Sequence, residues 1–154
     1  MLITDTLIDA LYAQAQEAPR RRRNRNLHGS DDARAHRLLN AVCPDSYVRP
    51  HRHLDPEKDE TLVVLRGRFG LVMFDDAGAV VSAQTLGARG PACGATIAHG
   101  CFHSLVALEP GAVFFEAKAG PYLPLTDAEV AHWAPAEGDA AAAPYLAWMR
   151  GLFD

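Results

Sequence analysis

The sequence predicts an all-β fold, an antiparallel sandwich or barrel, with a helix near its start and a short helical segment near its end. Three observations carry this. From Tyr47 onward, short apolar runs of strand length recur. Turn-forming Gly, Pro and Asp clusters separate them, and many short strands at such spacing are the pattern of sandwiches and barrels. Helical spacing is confined to the two ends of the chain.

The elements follow in order. Between Asp5 and Ala18, residues Leu7, Ile8, Leu11, Tyr12 and Ala15 fall on one face at helical spacing. Thr4 or Asp5 supplies a cap and Pro19 follows the end. The basic run Arg20 to Arg25, broken only by Asn24, reads either as a solvated stretch or as a source of bidentate contacts to a ligand oxyanion. Residues 31–42 are expected to open as a helical turn and run into a strand, and Pro44-Asp45-Ser46 is a turn signal. Leu62 to Leu65 reads as an apolar strand and Arg66-Gly67-Arg68 as a turn. Phe69 to Phe74 returns, and Asp75 to Gly78 makes a hairpin loop. Ala79 to Leu86 continues, and Gly87 to Pro91 breaks it. Ala95 to Ala98, Ser104 to Leu108 and Ala112 to Lys118 are further strands. Leu62, Val64, Phe69, Leu71 and Met73 are the expected core. Beyond Gly120-Pro121 the composition turns to Pro, Ala, Asp and Glu. Residues 136–144 read as a low-complexity loop, and Tyr145 to Met149 as a short helix.

Composition bounds the function. A chain of 154 residues suits one domain. Its 15 basic and 19 acidic residues leave a net charge of −4, which argues against nucleic acid as the main partner, since duplex binding rests on a basic surface. No apolar run reaches the length of a membrane span, so a membrane partner is not expected and a cytoplasmic location is. Cys43, Cys93 and Cys101 are odd in number and lack C-x-x-C spacing, which implies neither a disulfide framework nor a thiolate zinc site.

The chemistry is concentrated in His51-Arg52-His53, with Glu60 and His103 downstream. On extended backbone, alternate side chains share a face, so an H-x-H pair aims two imidazoles at one point. Three imidazoles and a carboxylate make a first shell for one divalent transition metal: zinc, iron, nickel or manganese.

These residues resemble the two signature motifs of the cupin superfamily, G-x5-H-x-H-x3,4-E-x6-G and G-x5-P-x-G-x2-H-x3-N. Glu60 keeps the six-residue interval to Gly67, and Gly100 keeps its interval to His103. Asp45 replaces the first glycine, and the gap from His53 to Glu60 is longer than usual. Glu57 competes with Glu60 for the carboxylate role. Glu60 is preferred because strand register cannot slip by one residue without turning the side chain outward. Ala98 and Ala107 replace the proline and asparagine of the second motif.

The segments Arg22 to His28, Arg37 to Ala41, Tyr47 to His53, Val63 to Arg68, Glu116 to Tyr122 and Trp133 to Glu137 look like the WbuC-type cupin fold metalloproteins, a family associated with bacterial surface-polysaccharide gene clusters. The resemblance implies a cupin double-stranded β-helix, or jelly-roll barrel. Residues 1–45 would pack a helix and lead-in strands on it, residues 46–122 would form the barrel and residues 123–154 an extension, in one domain overall. It also implies the metal ligands His51, His53, Glu60 and His103.

Around such a metal, Lys118 and Tyr122 are the candidate catalytic residues, and Arg23, Asn26, His28 and Arg49 the candidate substrate-binding ones. Lys118 or Arg49 at the rim of a barrel would equally serve as a salt-bridge partner. A ligating imidazole needs an acceptor for its other nitrogen, a role open to Asn26, His28 or Asn40. Cys101 is either a neighbour of the metal or a small packed hydrophobe. The expected partner is a small anionic molecule, and sandwich edges with the N-terminal segment offer surfaces for a homodimer. Three functions fit: an isomerase or epimerase acting on a small anionic carbohydrate or nucleotide-sugar, a non-enzymatic sugar- or metabolite-binding cupin, and an Fe(II)-dependent dioxygenase.

Overall fold

A computed structural model describes residues 1–154. Helix α1 spans Asp5–Glu17, and the Thr4 hydroxyl accepts the Leu7 N–H at its start. The strands are β1 (Arg22–Asn26), β2 (Ala35–Val42), β3 (Glu60–Arg66), β4 (Arg68–Phe74), β5 (Val80–Gly87), β6 (Gly94–Ile97), β7 (Phe102–Ala107) and β8 (Val113–Ala119). Helix α2 spans Ala142–Arg150.

Two antiparallel sheets face each other. One has the order β1-β2-β8-β3-β6 and the other β5-β4-β7. The sheets do not close into one hydrogen-bonded barrel, so the expected jelly-roll barrel is an open double-sheet sandwich, with a helix at each end of the chain. No helix is long and apolar enough to cross a membrane.

Side-chain alternation explains the layers. On β3, Glu60, Leu62 and Val64 are buried while Thr61 and Val63 face out. The apolar members meet Phe69, Leu71, Leu86, Ile97, Leu105 and Phe114 in the core between the sheets. The outer face of the larger sheet carries Leu39, Ala41 and Val113, covered by Ile8, Leu11 and Ala15 of α1. The outer face of the smaller sheet carries Val72, Phe74 and Val106, covered by Ala131, Leu146 and Met149 of the C-terminal segment. Met73, expected in the core, is half-buried at its edge.

Three expectations change. The basic run is not a loose stretch: Arg22 to Asn26 pairs with β2 as an edge strand. No helical turn opens residues 31–42. Asp31 and Asp32 form a turn, and β2 begins at Ala35. The low-complexity loop is shorter than its composition suggested, because α2 begins at Ala142. Pro144 is accommodated there because first-turn N–H groups have no intrahelical partner.

Candidate metal centre and its cleft

The inner face of the larger sheet is apolar at one end and polar at the other. Asn40 on β2, Glu60 on β3, and Glu116 and Lys118 on β8 share this face, with Glu60 paired directly to Lys118 in the ladder. The histidines reach the same end from outside the sheet. His51 is not in a regular strand. Its backbone N–H donates to the His103 carbonyl at 3.0 Å, and the His103 N–H donates back at 2.9 Å. The His53 carbonyl accepts from the Gly100 N–H at 2.6 Å. Gly100 has φ 78°, a conformation that favours glycine, in the turn leading to β7. Thus the two sequence motifs are joined backbone to backbone, and the three imidazoles are gathered with ring centroids 4.7 to 6.3 Å apart.

Glu60 Oε2 lies 3.2 Å from His53 Nε2 and 3.5 Å from His103 Nε2. Glu57, the competing carboxylate, is exposed on the preceding turn. The Nδ1 atoms of His51 and His103 each lie 3.0 Å from a backbone carbonyl, of Arg49 and Cys101 respectively. Donation there leaves the Nε2 lone pair of each ring available. For His51 and His103 these carbonyls, not Asn26, His28 or Asn40, are the partners. His53 Nε2 and Glu60 Oε2 are both buried without a hydrogen bond in proper geometry, despite their proximity. Buried polar atoms of this kind are costly unless something satisfies them.

The electrostatics suit ligation. Burial, reinforced by His103, lowers the His51 pKa to about 3, so this imidazole is neutral at physiological pH. Burial alone would raise Glu60, but contacts from His103 and His53 and the charge of Lys118 hold it well below the usual carboxylate range. The donor set of three imidazoles and one carboxylate fits a borderline transition metal. No group of three or more His, Cys, Asp or Glu is arranged to hold a metal ion, and Glu60 contacts the imidazoles directly.

Beside these donors, Lys118 Nζ lies 2.5 Å from Glu116 Oε1, and Asn40 Nδ2 donates to Glu116 Oε2 at 2.7 Å. Burial, then the negative charge of Glu60, pushes Glu116 up to about 7 against the pull of Lys118. Lys118 itself is raised, because the attraction of Glu60 and Glu116 outweighs its burial.

Two lobes of a cleft meet at the centre, of about 480 and 440 Å³. Arg20, Arg22, Val48, His51 and Lys118 line both. Arg23 lines the first lobe, and Arg49, Lys58 and Tyr122 the second. The other candidates lie differently. Asn26 is exposed on the edge strand, bonded to Asn24, and lines neither lobe. His28 is buried outside both lobes, stacked on His36 with centroids 3.9 Å apart. The Arg49 guanidinium is committed to the Ala131 carbonyl through Nε and Nη2. Tyr122 is 59% exposed at the rim. Cys101 packs partly buried against the inner core. Sequence reasoning passed over Lys58, buried with Nζ donating to Pro121 O, and Glu137, which binds Arg20 and Arg22. Lys58 lies in no motif, and Glu137 ends the segment Trp133 to Glu137, to which the sequence assigned no role.

Solved structures share the fold. KdgF from Halomonas sp. superposes with a TM-score of 0.53 at 18% identity, over 69% of this chain and 84% of that one. The polyketide cyclase RemF from Streptomyces resistomycificus gives 0.50 at 25% identity, over 68% of each chain. An oxalate oxidase bound to glycolate gives 0.53 at 13% identity, over 70% of this chain and 56% of that one. These likenesses establish a cupin-like fold. No curated protein sequence matches the chain. A family model described as "Domain of unknown function (DUF6016)" matches residues 3–86, more than half of the 154 residues, and the chain belongs to that family.

Proposed function

We propose that this chain is a metal-binding cupin that isomerises or epimerises a small anionic carbohydrate or nucleotide-sugar. The observation that carries the reading is the buried, hydrogen-bond-deficient pair His53 Nε2 and Glu60 Oε2, 3.2 Å apart, with His103 Nε2 beside them. A divalent cation held by His51, His53, Glu60 and His103 would satisfy these atoms and supply Lewis-acid stabilisation to a substrate carbonyl or hydroxyl. The remaining work falls to the chain. Arg22, Arg23 and Lys118 in the first lobe favour an anion. Glu116, held near neutral in pKa and 2.5 Å from Lys118, is poised to take or return a proton, with Lys118 as its charge partner. Tyr122 at the rim is placed to meet the outer part of a bound molecule. The WbuC-type resemblance supports surface-polysaccharide metabolism as the setting, and a cytoplasmic location fits that role.

The test is the metal content of the full chain purified without a histidine tag or chelator, beside His51→Ala and His103→Ala. About one transition metal per chain, absent from both variants, is expected. Sugar phosphates and nucleotide-sugars incubated with the loaded protein in D2O should exchange a carbon-bound proton. A metal-loaded protein that binds a sugar tightly and returns it unexchanged would instead favour a binding module.

A further inference from the structure

The wall shared by the two lobes contains a second feature. Glu137, from the turn after Pro135, is held by two guanidiniums. Arg20 grips it in bidentate fashion, Nε to Oε2 and Nη2 to Oε1, both at 2.7 Å. Arg22 Nη2 adds a contact to Oε1 at 2.5 Å. Arg22 is itself fixed: its Nη1 donates to the Tyr47 carbonyl at 2.9 Å and lies 3.3 Å from the Ser46 hydroxyl. Its side chain is only 18% exposed.

An ion pair that merely tethered the C-terminal segment would need neither arginine in the cleft. Both line both lobes, alongside His51 and Lys118. Arg20, 64% exposed, is held by Glu137 alone. With the fixed Arg22 it leaves one positive charge in excess over the carboxylate, so the cradle is better matched to a dianion than to its present occupant. Planar forks of this kind are the protein's usual device for carboxylate and phosphate recognition. The occupant belongs to the irregular stretch 136–141, which contains Gly138 at φ 90°.

We propose that Arg20 and Arg22 form the oxyanion subsite of this cleft, for a dianionic phosphate group, and that Glu137 fills it as an internal stand-in until such a group displaces it. The proposal rests on reading the cleft as the working site, which the metal measurement tests separately. Residues 136–141, beyond the core-packed Ala131 and Ala134, then act as a strap that loosens when the anion enters. Its Glu137 competes at the millimolar effective concentration typical of a short tether.

The test is inorganic phosphate binding by calorimetry to the full chain, to Glu137→Gln and to Glu137→Gln/Arg20→Met. Glu137→Gln should bind phosphate about tenfold more tightly than the unmodified protein, and the Arg20→Met change should abolish the gain. Acetate should gain much less. Equal phosphate affinity with and without Glu137→Gln, phosphate binding that survives Arg20→Met, or an equal gain for acetate would each overturn the proposal. Hydrogen exchange on the unmodified protein keeps it testable if Glu137→Gln does not fold. Saturating phosphate should speed exchange across residues 136–141, and unchanged or slower exchange would refute it.

Discussion

Glu116 shows how much a single position depends on its surroundings. Its carboxyl is buried beside Glu60 and Lys118, with a pKa raised to about 7. A raised carboxyl binds its proton more firmly in the folded state than in the unfolded one. Its contribution to stability is therefore complete below the ordinary value of 4.5 and is lost as pH rises through about 7. In metal-free protein, Glu116→Gln should flatten this loss, with a gain of up to about 3 kcal/mol at pH 8 relative to pH 4.5. Thermal melts of both proteins across that range provide the check. A parallel pH profile for the two would show that Glu116 is ionised in the fold at neutral pH.

His51 and His103 are legible one residue at a time only as imidazoles. What prepares them is the carbonyl behind each ring, from Arg49 and Cys101, and backbone carbonyls carry no sequence signature.

Between elements, the strand pair β3–β6 sets the register that turns Glu60 inward, with Glu60 opposite Ile97 and Val63 opposite Gly94. A methyl group at Gly94 would lie 2.3 Å from the Leu62 carbonyl oxygen, which is backbone and cannot rotate away. Gly94→Ala should therefore cost about 1–3 kcal/mol, as overpacking does, and should weaken metal binding through the displaced β3. Urea denaturation with and without metal separates the two effects, and a neutral substitution would mean that β6 shifts without moving β3.

Helix α2 covers the outer face of β4 and β7 through Leu146 and Met149, the latter with no exposed surface. Met149→Ala should destabilise the protein by about 2–5 kcal/mol, measurable as a shifted denaturation midpoint. A change below 1 kcal/mol would mean that α2 docks only loosely. This contact also explains why β4 is buried on both faces although its sequence, Arg68 to Phe74, reads as a strand with a single inner stripe.

For the whole molecule, the proposed metal centre would link metal to fold. The donors come from three separate stretches: the extended segment at His51 and His53, strand β3, and strand β7. A cation bridging them, as proposed, would bind the folded state and not the unfolded one. At a free metal concentration a thousandfold above Kd it should add about 4 kcal/mol. Zinc or manganese added to chelator-stripped protein should raise the melting temperature, and His103→Ala should remove that response. An unmodified protein whose melting temperature ignores every divalent metal would refute the centre.

The local pattern of the sequence determined the β texture, the terminal helices and the inner stripe of Leu62, Val64, Phe69 and Leu71, because alternation and helical spacing are properties of neighbours along the chain. It also marked His51 and His53, because alternate residues on extended backbone share a face, while Glu60 and His103 were marked by the resemblance to the two cupin motifs. Tertiary structure alone decided the rest. The sheets face each other without closing into a barrel. Arg49 is bound to Ala131, 82 residues away, rather than left free in the cleft. Arg20 and Arg22 meet Glu137 across more than 110 residues, and His28 is stacked against His36 outside the cleft. Each of these depends on which distant segment covers a given surface, and no interval along the chain encodes that.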